Sequence, residues 1–146
     1  MIYGIGTDAI EVARIEASVA RHGARFVERI LGPRERIVHA ARAARTPRRG
    51  TLFLATRFAA KEAIAKALGL GMRRPMHWRA AQIVNAVSGR PEVLADEGLA
   101  AFLRAHRLRV HVSVSDLDHL ALAYAVAEIV DAEPDNAPAG APESLP

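Results

Sequence analysis

Apolar positions along this chain recur with two different periods. From Ile2 to Ile10 they change face at each residue, Tyr3, Ile5, Thr7 and Ala9 on one side and Gly4, Gly6 and Asp8 on the other, which predicts a strand. From Glu11 to Leu31, at 100° per residue, Val12, Ile15, Val19, Phe26 and Ile30 fall within about 60° of one another. That pattern predicts an amphipathic helix, with Gly23 as a break point and Gly32-Pro33 as its stop. A second helical stretch, residues 34–45, runs into a loop at Thr46–Gly50, and a third helix covers Leu52–Leu68. Gly69 and Gly71 end it, as residues able to take the left-handed conformation at a helix C-terminus. Residues 72–78 carry no legible period. Ala80–Val87 and Pro91–Leu94 read as strands about a Ser88-Gly89-Arg90 turn, and Ala95–His106 as a short helix. Arg109–Ser115 sets Val110, Val112 and Val114 against His111, Ser113 and Ser115, and a turn at residues 116–119 leads into a strand over Leu120–Val130. The last two strands should pair as an antiparallel hairpin.

The chain has 146 residues, the length of one domain. Its hydrophobic fraction is 51%, but 30 of those residues are Ala, so the core is closely packed without being large. A small core favours help from oligomerisation. The absence of Cys excludes disulfides, thiolate zinc sites and Cys nucleophiles. Six His without close helical pairing argue against a zinc site. No basic leader precedes an apolar stretch, and no apolar run reaches 18 residues, so neither secretion nor membrane spanning is expected and the location expected is cytoplasmic.

Net charge is +4, unevenly spread. Residues 131–146 hold four acids, four Pro and no base, and are expected to be a disordered tail beside a single domain over residues 1–130. Positions 14–49 contain ten Arg and three acids, a surface suited to nucleic acid, a phosphorylated cofactor or an acidic protein. Phe26 is the one aromatic there and belongs to the apolar stripe, which leaves nucleic acid without a stacking platform.

Three groups could carry chemistry. Asp8 ends a strand on a face stripped of side chains by Gly4 and Gly6; its plainer reading is the N-cap of the helix that follows. Glu62 and Lys66 lie side by side at i, i+4 with Ala55, Ala59, Ala63 and Ala67 around them, leaving a bare helix face that another backbone or a phosphate could approach. An ordinary surface ion pair, worth roughly 0.3–0.5 kcal/mol, is the alternative. Lys61 points into the apolar stripe, and its ammonium is expected to snorkel out. His111, Ser113 and Ser115 share a strand face, better read as a hydrogen-bonded sheet residue beside two Ser than as a triad.

Taken together, GIGTDAIEVARIE, FLATRFAAKEAIAKALGLGM and HVSVSDLDHLALAYAVAE resemble, in order and spacing, the holo-acyl-carrier-protein synthases, the small bacterial 4'-phosphopantetheinyl transferases. The likeness spans residues 1 to about 130. It implies an α+β fold of antiparallel strands with packed helices, assembled as a homotrimer with active sites at subunit interfaces. The activity implied is transfer of 4'-phosphopantetheine from coenzyme A to a Ser of apo acyl carrier protein, releasing 3',5'-ADP in support of fatty acid biosynthesis. Mg²⁺ would be held by Asp8 and Glu62, and Lys66 would lie against the phosphates and assist proton transfer. Coenzyme A would also meet Gly69, Gly71 and the donors of Arg48 and Arg49. Arg14, Arg21 and Arg25, with Arg29, fall within about 80° on one face if the first helix persists through Gly23, and family members present that helix to the carrier. Asp116 stands where many relatives have His, and Met72 where many have a further glycine. A nucleic-acid-binding module and an inactive interaction protein of the same fold are the competing readings.

Overall fold

The computed structural model describes residues 1–131; all of the expected tail beyond Asp131 lies outside the described residues. Strand β1 (Ile2–Glu11) leads into α1 (Val12–His22), α2 (Ala24–Ile30), α3 (Pro33–Arg45) and the long α4 (Pro47–Ala67). A hairpin of β2 (Ala81–Asn85) and β3 (Pro91–Ala95) follows, then α5 (Glu97–Ala105) and the hairpin of β4 (Leu108–Asp116) and β5 (Leu120–Ile129). β1, β5 and β4 form an antiparallel sheet in that order, and β2 and β3 form a second, two-stranded one. The architecture is α+β with antiparallel strands, as expected. No helix among the described residues is long and apolar enough to cross a membrane.

α4 is the axis of the molecule. It is buried on nearly every side, so its inward-facing residues run round the helix rather than in one stripe. Its bare Ala face, expected to admit another backbone or a phosphate, takes the backbone: Ala55, Ala59, Ala63 and Ala67 are buried against the chain's own sheet. β1 supplies the complementary surface. A Cβ placed on Gly4 would collide with the carbonyl oxygen of Ala67, and one on Gly6 with that of Ala63. The two glycines therefore bring strand and helix backbones together, and the thing approached by the GxG segment is α4 itself. Ala121, Ala123, Ala125 and Ala127 of β5 continue this small-residue layer, so they too are consumed within one copy of the chain rather than left for subunit packing.

Two boundaries differ from the sequence reading. Gly23, at φ 58° and ψ −140°, ends α1 and starts α2, so the first helix does not persist through it. Thr46–Gly50 is no loop but the first turn of α4: Thr46 Oγ1 accepts the Arg49 amide at 3.2 Å, and Pro47 occupies the first helical position, where its missing N–H costs nothing. Gly50 is tolerated there because a side chain would press on Ala43 of α3 at 2.7 Å. The remaining elements lie within a few residues of their expected ranges, and the last hairpin pairs as expected.

Gly6→Ala is expected to lower stability by at least about 1–3 kcal/mol in urea unfolding, because a helix carbonyl has no room to yield. Gly69→Ala, where a Cβ meets nothing within 4 Å but φ is 71°, should lose no more than about 1–2 kcal/mol.

Candidate active site

The close packing of β1 on α4 decides which side chains meet at its rim. Asp8 lies two residues beyond Gly6 on the same strand face, and Lys66 reaches over the sheet edge to it from the last turn of α4. Lys66 Nζ donates to the Thr7 carbonyl at 2.8 Å and to Asp8 Oδ1 at 3.3 Å. Glu62 lies one turn earlier on α4. Burial first, and the neighbouring Asp8 second, push its carboxyl above the ordinary 4.5, with Lys66 pulling the other way. Two mutually repelling carboxylates and one ammonium thus share a rim. Asp8 is a strand residue, so the N-cap alternative is excluded: α1 starts at Val12, four residues later.

Among the described residues no group of three or more His, Asp or Glu gathers to hold a metal. Two carboxylates are the number that Mg²⁺ commonly takes, the rest of its octahedron being water and substrate oxygens. The repulsion between Asp8 and Glu62, relieved only in part by Lys66, gives a divalent cation a reason to bind, so the donors fit the ion.

A cleft of about 580 Å³ opens beside this rim, lined by Thr7, Asp8, Lys66, Ser113, Ser115 and Tyr124 among others. A second, larger groove of about 900 Å³ runs between α3, α4 and the β2–β3 hairpin. Four guanidinium groups line it, from Arg42, Arg45, Arg49 and Arg57, with Asn85 and Asp116. Arg57 is held by the Ile83 carbonyl at 3.1 Å and by Asn85 Oδ1 at 3.1 Å, and lies 4.2 Å from the Phe53 ring centre. Burial lowers its pKa to about 10, which leaves it charged at neutral pH. A cationic groove and an acidic rim on one helix are the two halves that a phosphate-handling enzyme with a divalent metal needs.

The family model described as the 4'-phosphopantetheinyl transferase superfamily matches residues 4–125. The chain belongs to that superfamily. It is 54% identical over 128 residues to the holo-[acyl-carrier-protein] synthase of Herminiimonas arsenicoxydans, covering 88% of this chain and 98% of that relative. The fold matches the crystal structure of holo-[acyl-carrier-protein] synthase from Neisseria meningitidis with a TM-score of 0.80 at 38% identity, over 88% of this chain and 99% of that one. It also matches the synthase of Bacillus anthracis in complex with CoA (3',5'-ADP), with a TM-score of 0.74 at 35% identity, over 89% and 99% of the two chains. The chain is accordingly an enzyme of the phosphopantetheinyl transferase class, within the holo-acyl-carrier-protein synthases.

Of the residues singled out in the sequence, the fold brings Asp8, Glu62 and Lys66 together. Gly69 and Gly71 follow α4 at φ 71° and 62°, in the left-handed turns expected of them. Arg48 and Arg49 separate: Arg49 lines the cationic groove, while Arg48 pairs with Glu16 of α1 at 2.7 Å. The Arg face of the first helix is divided by Gly23. Arg14 and Arg21 lie on α1 and Arg25 and Arg29 on α2, and a shallow hollow of about 500 Å³ gathers Arg21, His22, Arg25, Phe26 and Arg29. His111 Nε2 meets Glu128 Oε2 at 2.9 Å, the sheet role expected of it. Sequence reasoning missed Arg42, Arg45 and Arg57. For Arg57 a signal existed, since it precedes Lys61 by one helical turn within an apolar stretch that has no other charged residue between Leu52 and Ala60.

The raised pKa of Glu62 makes a signed prediction. Stability linked to its protonation is complete below pH 4.5 and is lost as pH rises through the folded-state value, so the ionised group opposes folding at neutral pH. In chelator-treated protein, Glu62→Gln should therefore melt higher than wild type at pH 7, and the advantage should vanish below pH 4.5, as read by thermal denaturation.

Proposed function

We propose that this enzyme transfers the 4'-phosphopantetheine arm of coenzyme A to a serine hydroxyl of apo acyl carrier protein with Mg²⁺, releasing 3',5'-ADP. The observation that carries this reading is the packing of β1 on α4, which places Asp8 beside Glu62 and Lys66 on the helix that also bears the cationic groove. The synthases it resembles, among them one in complex with CoA (3',5'-ADP), support the substrate.

In the reaction the serine oxygen forms a bond to the phosphorus that carries pantetheine. The bond from that phosphorus to the bridging pyrophosphate oxygen breaks, that oxygen leaves as part of 3',5'-ADP, and the serine proton passes to solvent. Mg²⁺ held by Asp8 and Glu62 would supply charge neutralisation on the pyrophosphate and its leaving oxygen. Lys66, anchored on the Thr7 carbonyl, presents its ammonium at the same rim and adds a second positive charge where negative charge develops. Arg42, Arg45 and Arg49 are suited to the nucleotide's 3'-phosphate, which they can meet through paired N–H donors, while the buried Arg57, held by Ile83 and Asn85, adds positive charge behind them. Gly69 and Gly71 let the chain after α4 run close to the substrate. Arg21, Arg25 and Arg29, gathered across Gly23, form the cationic side that would meet the acidic carrier protein, with Arg14 farther back on α1.

Assembly as a homotrimer belongs to the same reading, but its support is not the Ala stripe. The outer face of the three-stranded sheet leaves Tyr3, Ile5, Leu122 and Tyr124 between 38% and 56% exposed, an apolar surface for further copies of the chain. The cleft beside Asp8 and Lys66 opens onto that face, so a neighbouring copy would close the site.

Incubating the protein with coenzyme A, Mg²⁺ and apo carrier should add one phosphopantetheine arm to the carrier, read by mass. Asp8→Ala and Glu62→Ala should abolish transfer while the protein stays folded, and full turnover in excess chelator would overturn the metal assignment. Arg21→Glu and Arg25→Glu should raise KM for carrier several-fold at low ionic strength, flatten the salt dependence and leave KM for coenzyme A unchanged. Native mass spectrometry checks the trimer; a fully active monomer would rule it out.

A further inference from the structure

Lys61 does not snorkel. Its side chain and that of Glu35 are both at 0% exposure, and they form an ion pair at 2.7 Å inside the molecule. Lys61 Nζ also donates to the Ile30 carbonyl at 2.6 Å and the Trp78 carbonyl at 2.8 Å, filling all three of its donor positions. Glu35 accepts from the Gly32 amide through Oε2 at 2.9 Å and from the Ile83 amide through Oε1 at 2.8 Å. These contacts tie the end of α2, the first turn of α3, the middle of α4, the segment before β2, and β2 itself. The circuit closes on the groove: the Ile83 carbonyl, on the residue whose amide Glu35 takes, receives Arg57 one turn before Lys61.

Stability alone does not call for such a pair. Exchanging both partners of a buried ion pair for well-packed apolar residues is often neutral or stabilising, whereas removing one partner is costly. What an apolar pair cannot supply is direction. Five charge-assisted bonds from two side chains fix both the rotation of α4 about its axis and its separation from α3 and β2. Both quantities matter to the candidate site. Glu62 is the next residue along α4, turned about 100° from Lys61, so the rotation that seats Lys61 aims Glu62 at Asp8. α3 carries Arg42 and Arg45, so its separation from α4 sets the width of the cationic groove.

We propose that Lys61 and Glu35 are positioning residues of the transferase, a buried clamp that sets the aim of Glu62 and the width of the arginine groove. The inference rests on the transferase reading above and adds to it two residues that touch neither substrate nor metal. A misplacement of about 1 Å at a reacting centre can cost on the order of 10²-fold in rate, which is the scale of effect such a clamp prevents.

The test compares full-length wild type, Lys61→Met, and the double variant Glu35→Leu/Lys61→Met. Each is measured for melting temperature, for kcat and KM with carrier and coenzyme A, and for Mn²⁺ affinity by electron paramagnetic resonance without coenzyme A. Lys61→Met alone should melt well below wild type, because it strands the Glu35 carboxylate. The double variant should regain the melting temperature to within a few degrees, yet show kcat at least tenfold lower, Mn²⁺ binding at least fivefold weaker and an unchanged KM for carrier. A double variant with wild-type melting, kcat and Mn²⁺ affinity would overturn the proposal and leave the pair a matter of stability alone. If the double variant does not fold, the near-isosteric Glu35→Gln decides. With the helical circular dichroism of wild type it should still lose kcat and Mn²⁺ affinity, and wild-type values for both would be equally fatal. A wild-type protein that neither loads the carrier nor binds Mn²⁺ would instead fail the transferase reading, and this inference with it.

Discussion

The approach of one strand backbone to one helix backbone is the constraint on which the rest of this structure depends. Gly4 and Gly6 lie where any side chain would meet the carbonyls of Ala67 and Ala63, so β1 and the last turns of α4 pack with almost nothing between them. At that separation a short carboxylate on the strand and a helix lysine can share a hydrogen bond, as Asp8 and Lys66 do. A conventional sheet-on-helix contact, with large side chains on both surfaces, would hold them farther apart. The Ala of α4 and β5 serves the same approach: Ala55, Ala59, Ala63 and Ala67 on the helix and Ala121, Ala123, Ala125 and Ala127 on the strand trade core volume for proximity at the rim.

Charge inside the molecule is arranged with equal economy. All four polar or charged residues buried among the described ones, Glu35, Thr56, Arg57 and Lys61, have hydrogen-bond partners, and no buried side-chain nitrogen or oxygen among those residues is left unsatisfied. Satisfied networks of this kind favour one packing arrangement over near-equivalents more than they add to total stability. α4 thus has a small-residue side, which permits variation in neither distance nor tilt, and a clamped side, which fixes its rotation. Between them its position is determined in every direction that matters to Glu62 and Lys66.

Much of this is legible in the sequence, and the reasons for the exceptions are physical. The β4–β5 hairpin is readable because Val and Ala alternate strictly with polar or larger residues, the signature of a sheet with one covered face. Asp8, Glu62 and Lys66 are readable because the glycines and alanines around them leave three charged groups standing on otherwise bare surfaces. The Thr46–Gly50 turn reads wrongly since Thr, Pro and Gly suit a loop as well as a helix start, and only the fit of Gly50 against Ala43 separates the two. Lys61 reads wrongly because one helical wheel shows that a lysine points inward but not whether a carboxylate waits there. Glu35 is 26 residues away and is brought to it only by the fold. The arginine groove escapes for the same reason, since its walls come from α3, α4 and a hairpin that no local pattern connects.

The length of α4 carries a consequence for the distance between its two charged ends. Arg49 in its first turn and Lys66 in its last are 17 residues apart, roughly 26 Å at 1.5 Å of rise per residue. The 3'- and 5'-phosphates of one nucleotide flank a single ribose, a far shorter span. A rigid helix therefore acts as a spacer that holds the far wall of the arginine groove at a set distance from the acidic rim, with Arg57, nine residues before Lys66, the groove residue nearest the rim along the helix.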